Sequence, residues 1–189
     1  GYVDVGLPDV ERKEIISRLT AEIVRRILTL PLGKIPDLLD IVEGSLRERH
    51  ILMYERQPVL QNHVVSEGWD GAVKNSDGDF LMLVDANLAA LKTDSVMERE
   101  IAYSVAPEKG RLKARVTVTY HNTGLFSWKT TRYRTYTRIL VPKGAELVRS
   151  DGFINDDKKR TAKPAAVTEE NGKTAFGGYI IIEPLETKT

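Results

Sequence analysis

The stretch Asp79–Asn87, DFLMLVDAN, marks the point where the chain changes from helical to extended patterning. Its five consecutive apolar residues are typical of a buried strand, which we expect at 80–84. Turn-forming residues precede it at 75–78 (NSDG), and after it apolar and polar residues alternate through several segments. The stretch therefore separates two regions with different secondary structure.

The residues before this stretch are predicted to be mostly helical. Apolar side chains recur there at three- and four-residue steps, which is the period of a helix with one buried face. Three helices are predicted at 9–30, 36–49 and 57–67, with one short strand at 51–54. Residues 1–78 are thus expected to form a helical subdomain with one short strand.

The residues after this stretch have the two-residue period of strands. Strands are predicted at 80–84, 96–105, 112–121, 132–141 and 174–183. Residues 150–172 are polar and interrupted by Pro and Gly, so we expect a mobile loop there. Residues 79–189 are expected to form an antiparallel β domain. Helices followed by strands indicate an α+β fold, with a β-sandwich-like second region.

The composition excludes several classes of protein. The chain has 189 residues, 41% hydrophobic and 29% charged, which is an ordinary globular balance. It contains no cysteine, so disulfide scaffolds and thiolate metal sites are excluded. No apolar run approaches the roughly 20 residues that span a bilayer. Because the ends look unlike natural termini, we expect a fragment of a longer protein.

Positive charge is concentrated in one part of the chain. Residues 111–138 hold seven Lys and Arg residues and no Asp or Glu. If strands 112–120 and 132–140 form a hairpin with their apolar faces together, Arg115 lies near Arg138. Pairing Ser104 with Arg111 then places Glu100 opposite Arg115, while Arg132 and Arg134 face no acidic residue.

Two interpretations of this charge follow. One is a solvated ladder of ion pairs on the outside of a sheet. The other is a basic, aromatic-flanked surface for an anionic ligand. Its candidate residues are Arg132, Arg134, Arg138, Arg115 and Trp128. No nucleic-acid-binding motif accompanies the charge, so nucleic acid is not expected as a partner.

The end of the first strand carries residues that could bind a cation. Asp77, Asp79, Asp85 and Asn87 all have oxygen ligands, but their spacing matches no EF-hand. Asp79 and Asp85 lie at opposite ends of a strand about 20 Å long, so one metal ion cannot use both. Backbone-bonding turns are the favoured interpretation, and ligand binding is the alternative. No motif indicates a catalytic residue, a metal or a cofactor.

Four segments, in order, carry a resemblance to a known family. They are GWDG at 68–71, LMLVDANLAALKTD at 81–94, VTVTY at 116–120 and YRTYTRILVPKGAEL at 133–147. Together they resemble the later part of the bacterial domain-of-unknown-function family 4012. The resemblance implies that Asp85, Asn87 and Lys92, which we call the Asp-Ala-Asn corner, form a family signature.

The resemblance also implies a cellular setting. Members of that family are large envelope proteins, usually with a transmembrane segment ahead of an extracytoplasmic part. Their earlier half is distantly similar to LytR-CpsA-Psr phosphotransferases, which attach anionic glycopolymers to the cell wall.

Two hypotheses follow from that setting. The first is a non-enzymatic extracytoplasmic module of a membrane-anchored protein. Its partner would be an anionic envelope polymer or another envelope protein, and it would meet the membrane only through segments outside this chain. The alternative is a phosphotransferase fragment whose catalytic part lies upstream of residue 1.

Overall fold

The computed structural model describes residues 9–74, 76, 78–89, 91–156 and 158–189. These residues divide into two compact units, one ending at Lys74 and the other following it, where the sequence placed the boundary after residue 78. The first unit contains helices and the second contains strands in two antiparallel sheets. The predicted α+β class, with helices first and strands afterwards, is therefore confirmed.

The first unit contains three helices. They are α1 (Asp9–Leu28), α2 (Ile35–Arg47) and α3 (Pro58–Ser66). Prolines in the first turn of α2 and α3 suit those positions, because the ring fixes a helical φ where no N–H bond is needed. None of the helices in the described ranges is long and apolar enough to cross a membrane.

The short strand predicted at 51–54 is absent from the structure, so that prediction was wrong. Met53 donates one backbone hydrogen bond to the Trp69 carbonyl (2.9 Å), but no ladder of such bonds develops. A run of four apolar residues fits several backbone conformations, and only a neighbouring strand would have made it a strand.

The second unit contains seven strands. They are β1 (Met82–Asn87), β2 (Met97–Glu108), β3 (Arg111–Asn122), β4 (Tyr133–Val141), β5 (Ala166–Glu170), β6 (Lys173–Ile182) and β7 (Thr187–Lys188). One sheet has the order β1-β4-β6-β5, and the other has the order β2-β3-β7. All pairings are antiparallel.

The predicted pairing of 112–120 with 132–140 was wrong. β3 pairs with β2 and β7, whereas β4 lies in the other sheet between β1 and β6. The register of β2 against β3 was also wrong by four residues, because Ser104 lies opposite Arg115 and Glu100 lies opposite Thr119. A shift of four keeps every side chain on its predicted face, so alternation could not distinguish the two registers.

Strand β5 lies inside the segment 150–172 that was expected to be a loop. It forms a hairpin with β6 through Asn171 and Gly172, which have φ values of 50° and 70°. Left-handed backbone at both positions is what a type I′ two-residue hairpin turn requires, and Asn-Gly is its strongest sequence signal. The same turn geometry joins β2 to β3 through Lys109 (φ 51°) and Gly110 (φ 79°).

The core of this unit lies where the two sheets face each other. Its fully buried centre contains Tyr120 from β3, Tyr133 from β4 and Ile182 from β6. The partly buried side chains packed against it are Leu83, Met97, Val118 and Ile180. The far part of the β2–β3 hairpin is not covered in this way, since Leu112 is 78% exposed.

Candidate functional site

Asp85, in β1, lies at the centre of a polar network that joins the two sheets. Its side chain is only 4% exposed. One carboxylate oxygen accepts from Arg99 Nη1 (2.6 Å), and the other accepts from Tyr120 Oη (2.9 Å) and Thr137 Oγ1 (2.5 Å). Arg99 and Tyr120 belong to the three-stranded sheet, whereas Asp85 and Thr137 belong to the four-stranded one.

The charges in this network explain why it can be buried. Arg99 is the one charged residue among the apolar side chains on its face of β2, and the structure shows that it is the counter-ion of Asp85. A buried carboxylate costs several kcal/mol unless it is paired and hydrogen-bonded. Burial, together with the neighbouring Asp85 carboxylate, raises the pKa of Tyr120, so its hydroxyl stays a donor.

Asn87 organises the turn that follows β1. Its side-chain oxygen accepts from the Ala89 backbone N–H (2.9 Å), and its amide donates to the Leu91 carbonyl (3.0 Å) and to Asp94 Oδ2 (2.6 Å). The other oxygen of Asp94 accepts from Tyr133 Oη (2.8 Å), and burial followed by this bond raises the pKa of Tyr133. Asn87 therefore satisfies turn backbone, as the turn interpretation requires.

Lys92 contributes to the corner through its backbone. Its N–H donates to the Lys129 carbonyl (3.0 Å), and its carbonyl accepts from Ser95 N (3.1 Å) and Ser95 Oγ (2.7 Å). The lysine side chain is exposed. Asp85, Asn87 and Lys92 thus make separate contacts, and Asp85 bonds to side chains rather than to the loop N–H groups that the sequence suggested.

The basic residues predicted as one surface are divided between the two sheets. Arg115 lies on β3, whereas Arg134 and Arg138 lie on β4. Arg138 Nη1 contacts Glu170 Oε2 at 2.7 Å, and Arg132 Nε contacts Glu183 Oε2 at 3.3 Å. The prediction that Arg132 faces no acidic residue was therefore wrong, because the register was derived without β5 and β6.

The other two members of the predicted surface have different surroundings. Arg134 lines an open cleft of about 310 Å³ together with Asp156 and Tyr179. Trp128 is 65% exposed in the segment between β3 and β4. The structure therefore does not bring the five candidate residues together at one place.

Asp79, which precedes β1, does not join the Asp85 network. Asp79 Oδ2 accepts from Tyr103 Oη at 2.6 Å, and this bond raises the pKa of Tyr103 to about 12. Asp77 lies outside the described residues. Within the ranges that the structure describes, no group of three or more His, Cys, Asp or Glu side chains comes together to hold a metal ion.

Sequence reasoning missed the partners of Asp85 and Asn87. These are Arg99, Tyr120, Thr137, Asp94 and Tyr133. The one available signal was Arg99, because a charged residue on an otherwise apolar strand face needs a counter-ion.

No family model, no curated protein and no solved structure matches this chain.

Proposed function

We propose that this chain is a non-enzymatic structural module of a bacterial cell-envelope protein. In this proposal it lies outside the cytoplasm and is anchored to the membrane by another part of the full-length protein. Its location rests on the sequence resemblance of 68–147. Its structural role rests on the Asp85 network.

The observation that carries the structural role is the state of the Asp85 carboxylate. Arg99, Tyr120 and Thr137 donate to its two oxygens, and its side chain is 4% exposed. A catalytic acid, base or nucleophile has to reach a substrate atom within hydrogen-bonding distance. A carboxylate that is buried and already accepts three hydrogen bonds is better suited to holding two sheets together.

This role can be separated from catalysis by matched variants. Asp85→Asn and Thr137→Val both weaken the same network, but only the first removes the carboxylate. If the role is structural, each variant should lower the activity of the full-length protein in cells only in proportion to the fraction of the variant that is unfolded. Chemical denaturation measures that fraction. If folded Asp85→Asn is inactive in cells while equally folded Thr137→Val is active, the structural proposal is wrong.

The proposed location has a direct test because the chain contains no cysteine. Val148 is 78% exposed, so Val148→Cys should react with a membrane-impermeant maleimide in intact bacteria producing an otherwise cysteine-free full-length protein. Ala175→Cys is the matched control, since Ala175 is 1% exposed and should react only after denaturation. Labelling of Val148→Cys only after cell lysis would contradict the location.

The partner that we propose is another envelope protein rather than an anionic polymer. Arg132 and Arg138 already contact Glu183 and Glu170, which lowers the positive potential that a polyanion would meet. Retention on heparin or teichoic acid should therefore be weak, and equal for the parent and for Arg132→Ser/Arg138→Ser. Strong retention that this double variant abolishes would favour the polymer.

The phosphotransferase alternative concerns residues upstream of residue 1 and stays a prediction.

A further inference from the structure

We propose that two copies of this chain associate by antiparallel pairing of β2 with β2 of the second copy. This inference goes beyond the structural role proposed above, because it concerns the outer edge of a sheet rather than the Asp85 network. The two three-stranded sheets then join into one continuous sheet.

The first observation is the position of β2. It is the terminal strand of the order β2-β3-β7, and its 12 residues form no backbone ladder on the outer side with any described residue. Every residue of β2 except Met97 is exposed. A long edge strand presents free N–H and C=O groups that pair readily with another strand, and proteins usually protect such edges. In β2, Pro107 lies only at the turn end, and no lysine occurs within the strand.

The second observation is the apolar face beside this edge. Ile101, Tyr103 and Val105 share one face of β2 and are 46%, 36% and 43% exposed. A strand added at the edge would extend this face only if its own side chains alternate in the same way. A second β2 meets that requirement.

The third observation is that charge selects a register for self-pairing. The two apolar faces stay on the same side only if one residue of β2 lies directly opposite the same residue of the second copy. The two-fold axis then passes between these two residues, and we name the axis by that residue. An axis at Glu100 would place the Glu100 carboxylates of the two copies opposite each other. An axis at Tyr103 would place Glu98 of one copy opposite Glu108 of the other. Both arrangements put like charges directly across the pair, which is destabilising.

An axis at Ala102 avoids these contacts over the longest stretch. Glu100 then lies opposite Ser104, and Glu98 lies opposite Ala106. The axis at Ile101 also avoids like charges but pairs only 97–105, whereas the axis at Ala102 pairs 97–107. The carboxylates of Glu98 and Glu100 therefore meet small uncharged residues of a second copy, while Glu108 lies outside the paired stretch.

The test uses the 189-residue chain and measures its mass against concentration by sedimentation equilibrium. The parent should be a dimer. Ala102→Lys and Ala102→Glu should each weaken dimerisation at least about tenfold, because each places two like charges across the axis. An equimolar mixture of the two variants should recover the dimer, since opposite charges then meet. Circular dichroism checks that the exposed substitutions leave the fold intact.

Two controls distinguish this edge from other surfaces. Val167→Lys changes β5, an edge strand of the other sheet, at a residue that is 56% exposed, and it should not alter dimerisation. Ser104→Lys places an ammonium opposite Glu100 twice and should tighten the dimer about two- to tenfold.

Three results would overturn the inference. If the parent stays monomeric at every soluble concentration, β2 does not pair with a second copy, and its partner would be a strand of a different protein. Dimers unaffected by both Ala102 variants would place the interface elsewhere in the chain. A mixture that fails to recover the dimer would exclude pairing centred on Ala102. None of these results bears on the role of Asp85.

Discussion

Strands β4 and β2 have the same alternation of side chains but very different surroundings. On the inner face of β4, Tyr133, Thr135 and Thr137 are at most 2% exposed. On the corresponding face of β2, Ile101 and Val105 are more than 40% exposed although they are more apolar. Alternation therefore predicts which side chains share a face but not whether that face is covered. In β4, hydrogen bonds to Asp85 and Asp94 make burial of the Thr137 and Tyr133 hydroxyls possible.

The covered face should depend most strongly on Asp85. We expect Asp85→Ala to lower the free energy of unfolding by about 3–5 kcal/mol, because it leaves Arg99 and two buried hydroxyls without their acceptor. Urea denaturation of the parent and the variant measures the loss. Because Arg99 is 46% exposed and can reach water, Arg99→Met should cost less than Asp85→Ala. A loss below about 1 kcal/mol for Asp85→Ala would mean that the network does not hold the sheets together.

Thr137 and Thr135 provide a matched pair on the same face of β4. Thr137 donates to Asp85, whereas Thr135 Oγ1 is buried and makes no hydrogen bond of normal geometry with the described residues. We therefore expect Thr137→Val to destabilise the protein by about 1–3 kcal/mol. Thr135→Val should be neutral or stabilising by up to about 1 kcal/mol, because it replaces an unsatisfied hydroxyl with a methyl group. Thermal denaturation compares the two, and equal losses would contradict this reasoning.

The exposed hairpin should contribute a pH dependence through Tyr103. Its hydrogen bond to Asp79 raises its pKa to about 12, above the value of about 10 for an unfolded tyrosine. Its contribution to stability is therefore complete below about pH 10 and is lost as the pH rises through about 12. Between about pH 10 and 12, the free energy of unfolding should fall less for Tyr103→Phe than for the parent. Urea denaturation at several pH values measures both. Parallel curves for the two proteins would exclude the Tyr103–Asp79 bond as a source.

The smallest effects are expected from ion pairs on the outer faces. Glu170→Gln removes the partner of Arg138, and both side chains are about one-third exposed, so we expect a loss of about 1 kcal/mol that shrinks in high salt. Glu100→Gln should cost less than about 0.5 kcal/mol, because Glu100 lies opposite Thr119. The register derived from sequence predicts the larger loss for Glu100. Chemical denaturation of both variants therefore compares the two registers.

The sequence predicted the elements of this fold better than their neighbours. The helical period located α1, α2 and α3 closely, and the two-residue period located the long strands. Pairing was mispredicted because β3 and β4 are consecutive and have compatible faces, yet they belong to different sheets. Nothing in the alternation of one strand specifies which other strand lies beside it.

The candidate site could be predicted only in part. Asn87 follows the Asx-turn chemistry that its position suggested, and its side-chain oxygen accepts the predicted kind of backbone bond. The partners of Asp85 lie 14, 35 and 52 residues further along the chain, so they depend on how the two sheets face each other. Such contacts are set by tertiary packing, which local sequence patterns do not encode.

The two-residue turn at Lys109 and Gly110 also bears on the order in which the structure forms. Every pair in the β2–β3 hairpin lies within residues 97–122, whereas β1 pairs with β4 from as far apart as Met82 and Leu140. Closing a short loop costs less entropy and is faster, so we expect the hairpin to form first. During synthesis it can form before Thr137 has left the ribosome. The nascent chain would then display the β2 edge before Asp85 acquires its full set of partners.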